Sequence, residues 1–271
     1  MNAANPEAAA LFHRLHSEGL LLLPNAWDAG SARLVESLGA RAVATSSAAV
    51  AWAHGYADGD QLPVAALLGS VREMARVLSV PLSVDIEGGY AEDPVRVGET
   101  VAAVLEAGAV GINIEDGREP PELLCRKLEQ ARRAAERVGV RLFANARTDV
   151  YLKGLVPPER RVQEVLARAE RYRAAGADGL FVPGVTAPDE MRAIASGQPL
   201  PLNVLARAGL PEAPALQALG VRRLSAGSSL AESLYGRLGA LASGFLRTGA
   251  SAPLVEEAMS YGALQALMPR G

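Results

Sequence analysis

The sequence predicts an α/β protein: a closed (β/α)8 barrel of the TIM type with an additional C-terminal helix. Short apolar runs alternate eight times with helical patterns, which is the alternation of parallel strands joined by right-handed crossovers. Several helical patterns stop on a glycine directly before the next apolar run, as in ESLGARAVA, LEAGAVGINI, ERVGVRLFA, RAAGADGLFV and QALGVRRLS. Glycine accepts the left-handed conformation that closes a helix, so each of these is a physical stop signal. Neither a GxGxxG turn nor a Walker loop is present, which sets the closed barrel above an open doubly wound sheet.

In chain order the predicted strands are residues 20–27, 41–46, 81–87, 111–115, 142–148, 179–183, 201–206 and 222–226. Helical spacing fills the intervals, clearest over Val71–Leu78, Val101–Leu105, Leu124–Val138 and Val162–Tyr172. The whole of 1–271 reads as a single barrel domain. Residues 250–271 form a helical extension beyond the eighth helix, of the kind that serves packing or assembly.

The chain is 49% hydrophobic over 271 residues, enough to bury a sizeable core. Net charge is −3, with basic residues interspersed among acidic ones, which disfavours nucleic acid and anionic membranes as partners. Cys125 is the single cysteine, so an intrachain disulfide and a cysteine-built metal centre are both excluded. No run reaches the ~18 apolar residues of a membrane span, and the start lacks the order of a signal peptide. A soluble, cytoplasmic protein is expected.

In a (β/α)8 barrel the C-terminal strand ends meet at one mouth, where chemistry is done. Here that rule gathers Asn25, Trp27 and Asp28, then Ser46 and Ser47, Asp85 and Glu87, and Glu115 and Asp116. Arg147 and Asp149, Asn203 and Ser225 complete the set. Asp85 and Glu87, two residues apart, face one side of a strand and repel unless a cation or a proton intervenes. Carboxylates and an arginine at one rim point to a hard divalent cation with an anionic substrate. Plainer readings stand beside these. Asp58 is a turn residue by its loop setting, the serines are helix caps, and Asp116 is a hydrogen-bond anchor for the following loop. Cys125 reads as a small apolar residue on the buried face of its helix. His13 and His16 read as surface residues of an N-terminal helix, and His54 as solvent-exposed. Three scattered histidines make a zinc centre a poor fit.

The run PNAWDAGSARLVESLGARAVATSS, followed in order by GYADGD, VDIEGGY, INIEDG and ARTD, resembles the isocitrate lyase/phosphoenolpyruvate mutase superfamily over about residues 20–227. The resemblance implies a Mg2+-dependent enzyme, with Mn2+ as a substitute, that makes or breaks C–C or P–C bonds in small 2-oxo or 2-hydroxy acids. It also implies a homotetramer or homodimer in which a helix is exchanged between subunits. By position, Asp85 resembles the direct metal ligand, and Asp58, Glu87 and Glu115 the carboxylates that hold the ion through its waters. Ser46, Ser47 and Ala48 resemble the segment that cradles the substrate carboxylate. Arg147 resembles the arginine on the substrate's charged oxygens, and Asn203 a carboxylate-binding asparagine. Arg147, Asp58 and Glu115 are thereby the expected catalytic residues, with Asp85 counted among the substrate contacts as well. The chain departs from the lyases at EDGREPPELLCRKLEQ, where the cysteine–glycine–histidine loop is missing, and at Ala44, Gly184 and Leu205.

The expected activity is therefore Mg2+-dependent cleavage of a C–C bond in an isocitrate- or methylisocitrate-like substrate, giving a 2-oxo acid. The alternatives are decarboxylation of an oxaloacetate-type 2-oxo acid and, below it, P–C mutase or hydrolase chemistry. Another class of function is a non-catalytic 2-oxo acid binding protein.

Overall fold

A computed structural model describes residues 6–268; residues 1–5 and 269–271 of the predicted domain and extension lie outside the described residues. Helix α1 (Pro6–Leu15) precedes β1 (Leu21–Leu23) and β2 (Asn25–Ala26). There follow α2 (Ala29–Ser37), β3 (Val43–Thr45), α3 (Ser47–Ala53), α4 (Val64–Val77), β4 (Leu82–Asp85) and α5 (Pro94–Glu106). The middle of the chain is β5 (Gly111–Glu115), α6 (Pro121–Val138), β6 (Phe143–Arg147), α7 (Arg161–Ala174) and β7 (Gly179–Phe181). Then come α8 (Pro188–Gly197), β8 (Leu202–Leu205), α9 (Ala213–Ala218), β9 (Val221–Ser225) and α10 (Ser229–Thr248). The last two elements are α11 (Ala252–Val255) and α12 (Tyr261–Leu267).

Every strand pairing is parallel, in the order β1-β9-β8-β7-β6-β5-β4-β3-β2. β1 pairs with β9 and β2 with β3, and these two pieces are consecutive in the chain, so the sheet closes into the expected barrel. The first predicted strand is split at Pro24, which has no N–H to give to a ladder. All five predicted glycine stops hold. Gly39, Gly108, Gly139, Gly176 and Gly220 have φ of 95°, 113°, 76°, 102° and 91°.

Alternation along the strands divides the packing. Outward residues such as Val84, Ile112, Ile114 and Ala146 meet Met74, Val101 and Leu128 of the surrounding helices. Inward, Leu21, Leu23, Ala44 and Phe143 pack on Phe12 and Leu15, so α1 plugs the N-terminal end of the barrel. Gly111 belongs to that arrangement, since a Cβ there would lie 2.6 Å from the Phe12 ring. The plug corrects the surface reading of the N-terminal histidines. His16 is only 4% exposed, stacks on Phe143 at 3.9 Å between ring centroids, and holds the Phe12 carbonyl through Nδ1 at 2.8 Å; His13 is half-buried. Their helix faces the barrel floor rather than solvent.

The C-terminal extension is likewise two short helices instead of one, broken around Glu257, whose φ is +58°. α12 returns to α2, where Arg33 Nε donates to the Leu267 carbonyl at 3.1 Å. Along the twenty residues of α10 only Ala231 is buried, and Leu230, Leu234, Leu238, Phe245 and Leu246 are exposed. On the barrel wall Leu22 is 55% exposed beside a half-buried Leu224, with which it is in register.

Candidate active site

Two successive turns of alternation carry polar residues inward at the C-terminal half of the barrel. β4 presents Ser83 then Asp85, β5 Asn113 then Glu115, β6 Asn145 then Arg147, and β9 Arg223 then Ser225. The upper members form the rim. Asp85 is buried. Its N–H donates to Thr45 Oγ1 at 2.8 Å, its Oδ1 accepts from Glu87 N at 3.1 Å, and its Oδ2 accepts from Asn113 Nδ2 at 3.2 Å. Burial raises its carboxyl above the usual range, opposed by the nearby Arg147 cation.

Glu87 is held differently. It, Gly89 and Tyr90 all take left-handed backbone, with φ of 52°, 97° and 58°. For Glu87 and Tyr90, which carry side chains, that conformation is strained, and such strain is concentrated at working sites. The Asp60 backbone N–H donates to Glu87 Oε2, while Oε1 is buried without a hydrogen bond of ordinary length and the Tyr90 hydroxyl acts on the carboxyl. Burial, with Asp60 and Asp58 adding like charge, pushes Glu87 up to about 7.

Glu115 meets Arg147 Nη1 at 2.6 Å and Lys153 Nζ at 3.5 Å. Burial, and then the charges of Asp149 and Asp85, lift it to about 7 against the pull of Arg147 and Lys153. Arg147 is fixed from its other side by Asp149. Burial pulls the guanidinium down, but Glu115, Asp149 and Asp85 more than offset that and leave it above the ordinary arginine value. Asp116 points away from the rim. It accepts from Arg168 Nη1 at 2.7 Å, Tyr172 Oη at 2.6 Å and Asp149 N at 2.9 Å, which pins the loop after β5 to α7.

Ser46 caps α3, its Oγ accepting from Ala49 N at 3.4 Å. Ser47 and Ala48 open that helix, and the amides of a first turn have no partner within the helix itself. Asn25 ties the rim together, donating to the Thr45 carbonyl at 2.7 Å and accepting from Gly227 N at 2.8 Å. Asp28 is the capping residue of α2. His54, as expected, is exposed, and Cys125 is half-buried within α6.

Two sequence expectations are displaced. Asn203 lies below the rim at 1% exposure, its amide N–H groups directed at Val204 O, Arg223 O and Ser225 Oγ, so it belongs to the barrel interior rather than to a carboxylate contact. Its place is early in β8, two residues short of Leu205. Asp58 is exposed and acts on Asp85 and Glu87 through its charge. The neighbouring Asp60 is the one that bonds into the site, its Oδ1 accepting from Tyr90 N at 3.2 Å.

A cavity of about 480 Å3 opens beside these acids, walled by Asp60, Glu87, Tyr90, Glu115, Lys127 and Lys153. Lys127 Nζ donates to Gly88 O at 2.6 Å. A larger cavity of about 690 Å3, lined by His13, His16 and Phe143, lies at the opposite, plugged end, remote from the rim chemistry. Neither lysine was legible in the sequence: Lys127 sits inside a regular helical pattern and Lys153 in a loop without a motif.

Over residues 12–246 the chain matches the family described as phosphoenolpyruvate phosphomutase. The chain belongs to that family. An uncharacterized protein of Mycobacterium tuberculosis H37Rv is 36% identical to this phosphoenolpyruvate phosphomutase family member over 223 residues, covering 80% of this chain and 81% of that protein. The oxaloacetate decarboxylase of Bradyrhizobium sp. BTAi1 is 34% identical over 193 residues, covering 69% of this chain and 65% of the relative. A crystal structure from Burkholderia cenocepacia J2315, assigned only provisionally as a phosphonomutase, superposes with a TM-score of 0.83 at 42% identity. It covers 88% of this chain and 99% of the other. A crystal structure of phosphonopyruvate hydrolase, a complex with oxalate and Mg2+, superposes with a TM-score of 0.83 at 24% identity over 96% of this chain and 94% of the other.

Proposed function

We propose that this protein is a Mg2+-dependent lyase that cleaves a C–C bond in a small 2-oxo or 2-hydroxy di- or tricarboxylate. Decarboxylation of an oxaloacetate-like 2-oxo dicarboxylate is the form best supported. The observation that carries the reading is the rim itself: buried Asp85 and Glu87 stand beside a Glu115–Arg147 pair, so a cation and an anion are both provided for.

The donor set suits Mg2+. It consists of hard carboxylate oxygens, and one of them, Glu87 Oε1, is buried without a hydrogen bond of ordinary length, the Tyr90 hydroxyl being the donor that acts on that carboxyl. Among the described residues no three acidic, histidine or cysteine side chains converge on one point. Mg2+ takes one or two protein oxygens and keeps several waters. Asp85 would hold it directly, with Glu87, Glu115 and Asp60 reaching its waters and Asp58 adding negative charge from the exposed loop. When bound, the ion would withdraw electrons from the substrate's 2-oxo group and neighbouring carboxylate. Arg147 would bind and offset charge developing on oxygen, and the opening amides of α3 at Ser47 and Ala48 would orient the substrate carboxylate.

The loop after β5 favours decarboxylation. It spans only residues 116–120, is pinned through Asp116, and leads straight into α6, where Cys125 is already helical. Loss of CO2 leaves an enolate carbon that water is able to protonate, so no loop-borne acid is required. The oxaloacetate decarboxylase relative supports the same reading.

Product formation from oxaloacetate, isocitrate, 2-methylisocitrate and phosphonopyruvate, each with and without Mg2+, tests the proposal. Mg2+-dependent CO2 and pyruvate from oxaloacetate is the expected outcome. Glyoxylate or pyruvate from a hydroxytricarboxylate would shift the assignment to the lyase form. Turnover of phosphonopyruvate alone would replace it with P–C chemistry, and silence on all four would favour a binding role.

Assembly is part of the same proposal. α10 stands off its own barrel with an apolar face exposed, while the outer wall at Leu22 and Leu224 is uncovered. A second copy's α10 supplies the missing cover, giving a homodimer or homotetramer with exchanged helices.

A further inference from the structure

Beneath the rim acids lies a second tier of polar side chains for which the proposed reaction has no use: Asn113, Asn145, Asn203 and Arg223. Arg223 is the unusual member. It is 0% exposed inside the barrel, and no carboxylate is among its hydrogen-bond partners. Its Nε donates to Ser225 Oγ at 3.1 Å and its Nη2 to Asn113 Oδ1 at 3.2 Å, while Nη1 is buried with no partner. A buried guanidinium held only by neutral groups is costly, and cores do better with apolar side chains of like volume. Packing therefore gives no account of it.

The hydrogen-bond directions do. Asn113 Oδ1 accepts from two donors, Arg223 Nη2 and Asn145 Nδ2, the latter at 2.9 Å. With its oxygen committed downward, the amide turns its N–H2 upward, where it donates to Asp85 Oδ2 at 3.2 Å. The Asp85 backbone is separately fixed by Thr45 Oγ1, and its Oδ1 by Glu87 N. Arg223 and Asp85 also feel each other electrostatically. Burial pulls the guanidinium down to about 9, the Asp85 charge opposes this, and Arg223 stays a cation at neutral pH.

We infer that Arg223 is a positioning residue for Asp85, orienting its carboxylate through Asn113 and supplying from below the positive charge that offsets it. The inference rests on the reading of Asp85 as the metal ligand. Outer partners that orient a ligand typically change metal affinity 10- to 100-fold when removed.

Mn2+ serves as the probe, titrated by calorimetry and by electron paramagnetic resonance of the free ion. The proteins compared are the full-length wild type, Asp85→Ala, Arg223→Met and Arg223→Lys, each checked by circular dichroism. The expected result is loss of binding in Asp85→Ala and binding weakened about 10- to 100-fold in folded Arg223→Met. Arg223→Lys, which keeps the charge without the forked reach, should lie between. Arg223→Lys carries the test alone if Arg223→Met does not fold. Affinity within about twofold of wild type in the folded Arg223 variants, with Asp85→Ala dead, overturns the inference and leaves the metal-site reading intact. Unchanged binding in Asp85→Ala removes that reading, and the inference with it. Failure of both Arg223 variants to fold even with saturating Mn2+ assigns Arg223 to the scaffold and also overturns it.

Discussion

Arg147 grips Asp149 with two nitrogens, Nε on Oδ1 at 2.8 Å and Nη2 on Oδ2 at 3.2 Å, while its Nη1 reaches Glu115 at 2.6 Å. Asp149 is fully buried and also meets Lys153 Nζ at 2.8 Å, so the fork is aimed by an acid that is itself held in place. The guanidinium is thus set by the scaffold itself.

Arg147→Lys tests that arrangement. A single ammonium does not span both Asp149 oxygens and Glu115. We expect kcat/KM on the turned-over substrate to fall about 10^2- to 10^3-fold, the scale for losing one preorganised donor to a developing oxyanion. Steady-state kinetics with a parallel thermal melt checks it; an unchanged kcat/KM would place Arg147 outside the chemistry.

Asp116 has the opposite character, and Asp116→Asn should act on stability. The variant leaves the Arg168 charge with Glu164 as its remaining carboxylate, at 2.7 Å, and weakens the buried side of the anchor at a cost of about 2 kcal/mol. Urea denaturation measures it, and a loss below about 1 kcal/mol would show that the Arg168–Tyr172 anchor is dispensable.

The buried His16 gives a pH dependence with a definite sign. Burial lowers its pKa from 6.5 to about 3. Between those values the unfolded chain takes up a proton that the native protein refuses, so stability falls as pH drops through that window and is level above it. At pH 5 the loss relative to pH 7 is about 2 kcal/mol. His16→Gln should flatten this component, and equal pH 5 to pH 7 differences in urea midpoint for the two proteins would sink the assignment.

Helix exchange predicts that charges on α10 release protomers. Leu234→Glu with Leu238→Glu should convert the assembly to monomers that keep their far-ultraviolet circular dichroism. Light scattering coupled to gel filtration reads the mass directly. A wild-type protein that is already monomeric at micromolar concentration would contradict the exchange.

Most of the barrel was legible because its punctuation is local. Gly39, Gly108, Gly139, Gly176 and Gly220 stop helices by a backbone requirement that no distant contact alters. The rim acids were legible for the same reason, since Asp85 and Glu115 sit where apolar runs end. What escaped was set by tertiary placement. His16 carries no mark in the sequence that its helix plugs the barrel, and Pro24 reads as a turn residue until the register shows it splitting a strand. The interior tier did leave a trace: Asn113, Asn145 and Arg223 each precede an inward residue by two, the period that sends a strand side chain to the same face. Asn203 was placed too high because its strand runs on to Leu205 before reaching the rim.

The ring closes between β1 and β9, joining Leu21–Leu23 to Arg223–Ser225 across some two hundred residues of chain. Such a contact carries the largest loop-closure cost in the barrel. During synthesis α1 and β1 emerge first yet wait for β9 before their cylinder is complete. Arg223 lies on that same strand, so the hydrogen bonds that run from it through Asn113 to Asp85 depend on ring closure. Removal of the last strand would therefore open the ring and take away the support beneath Asp85 together.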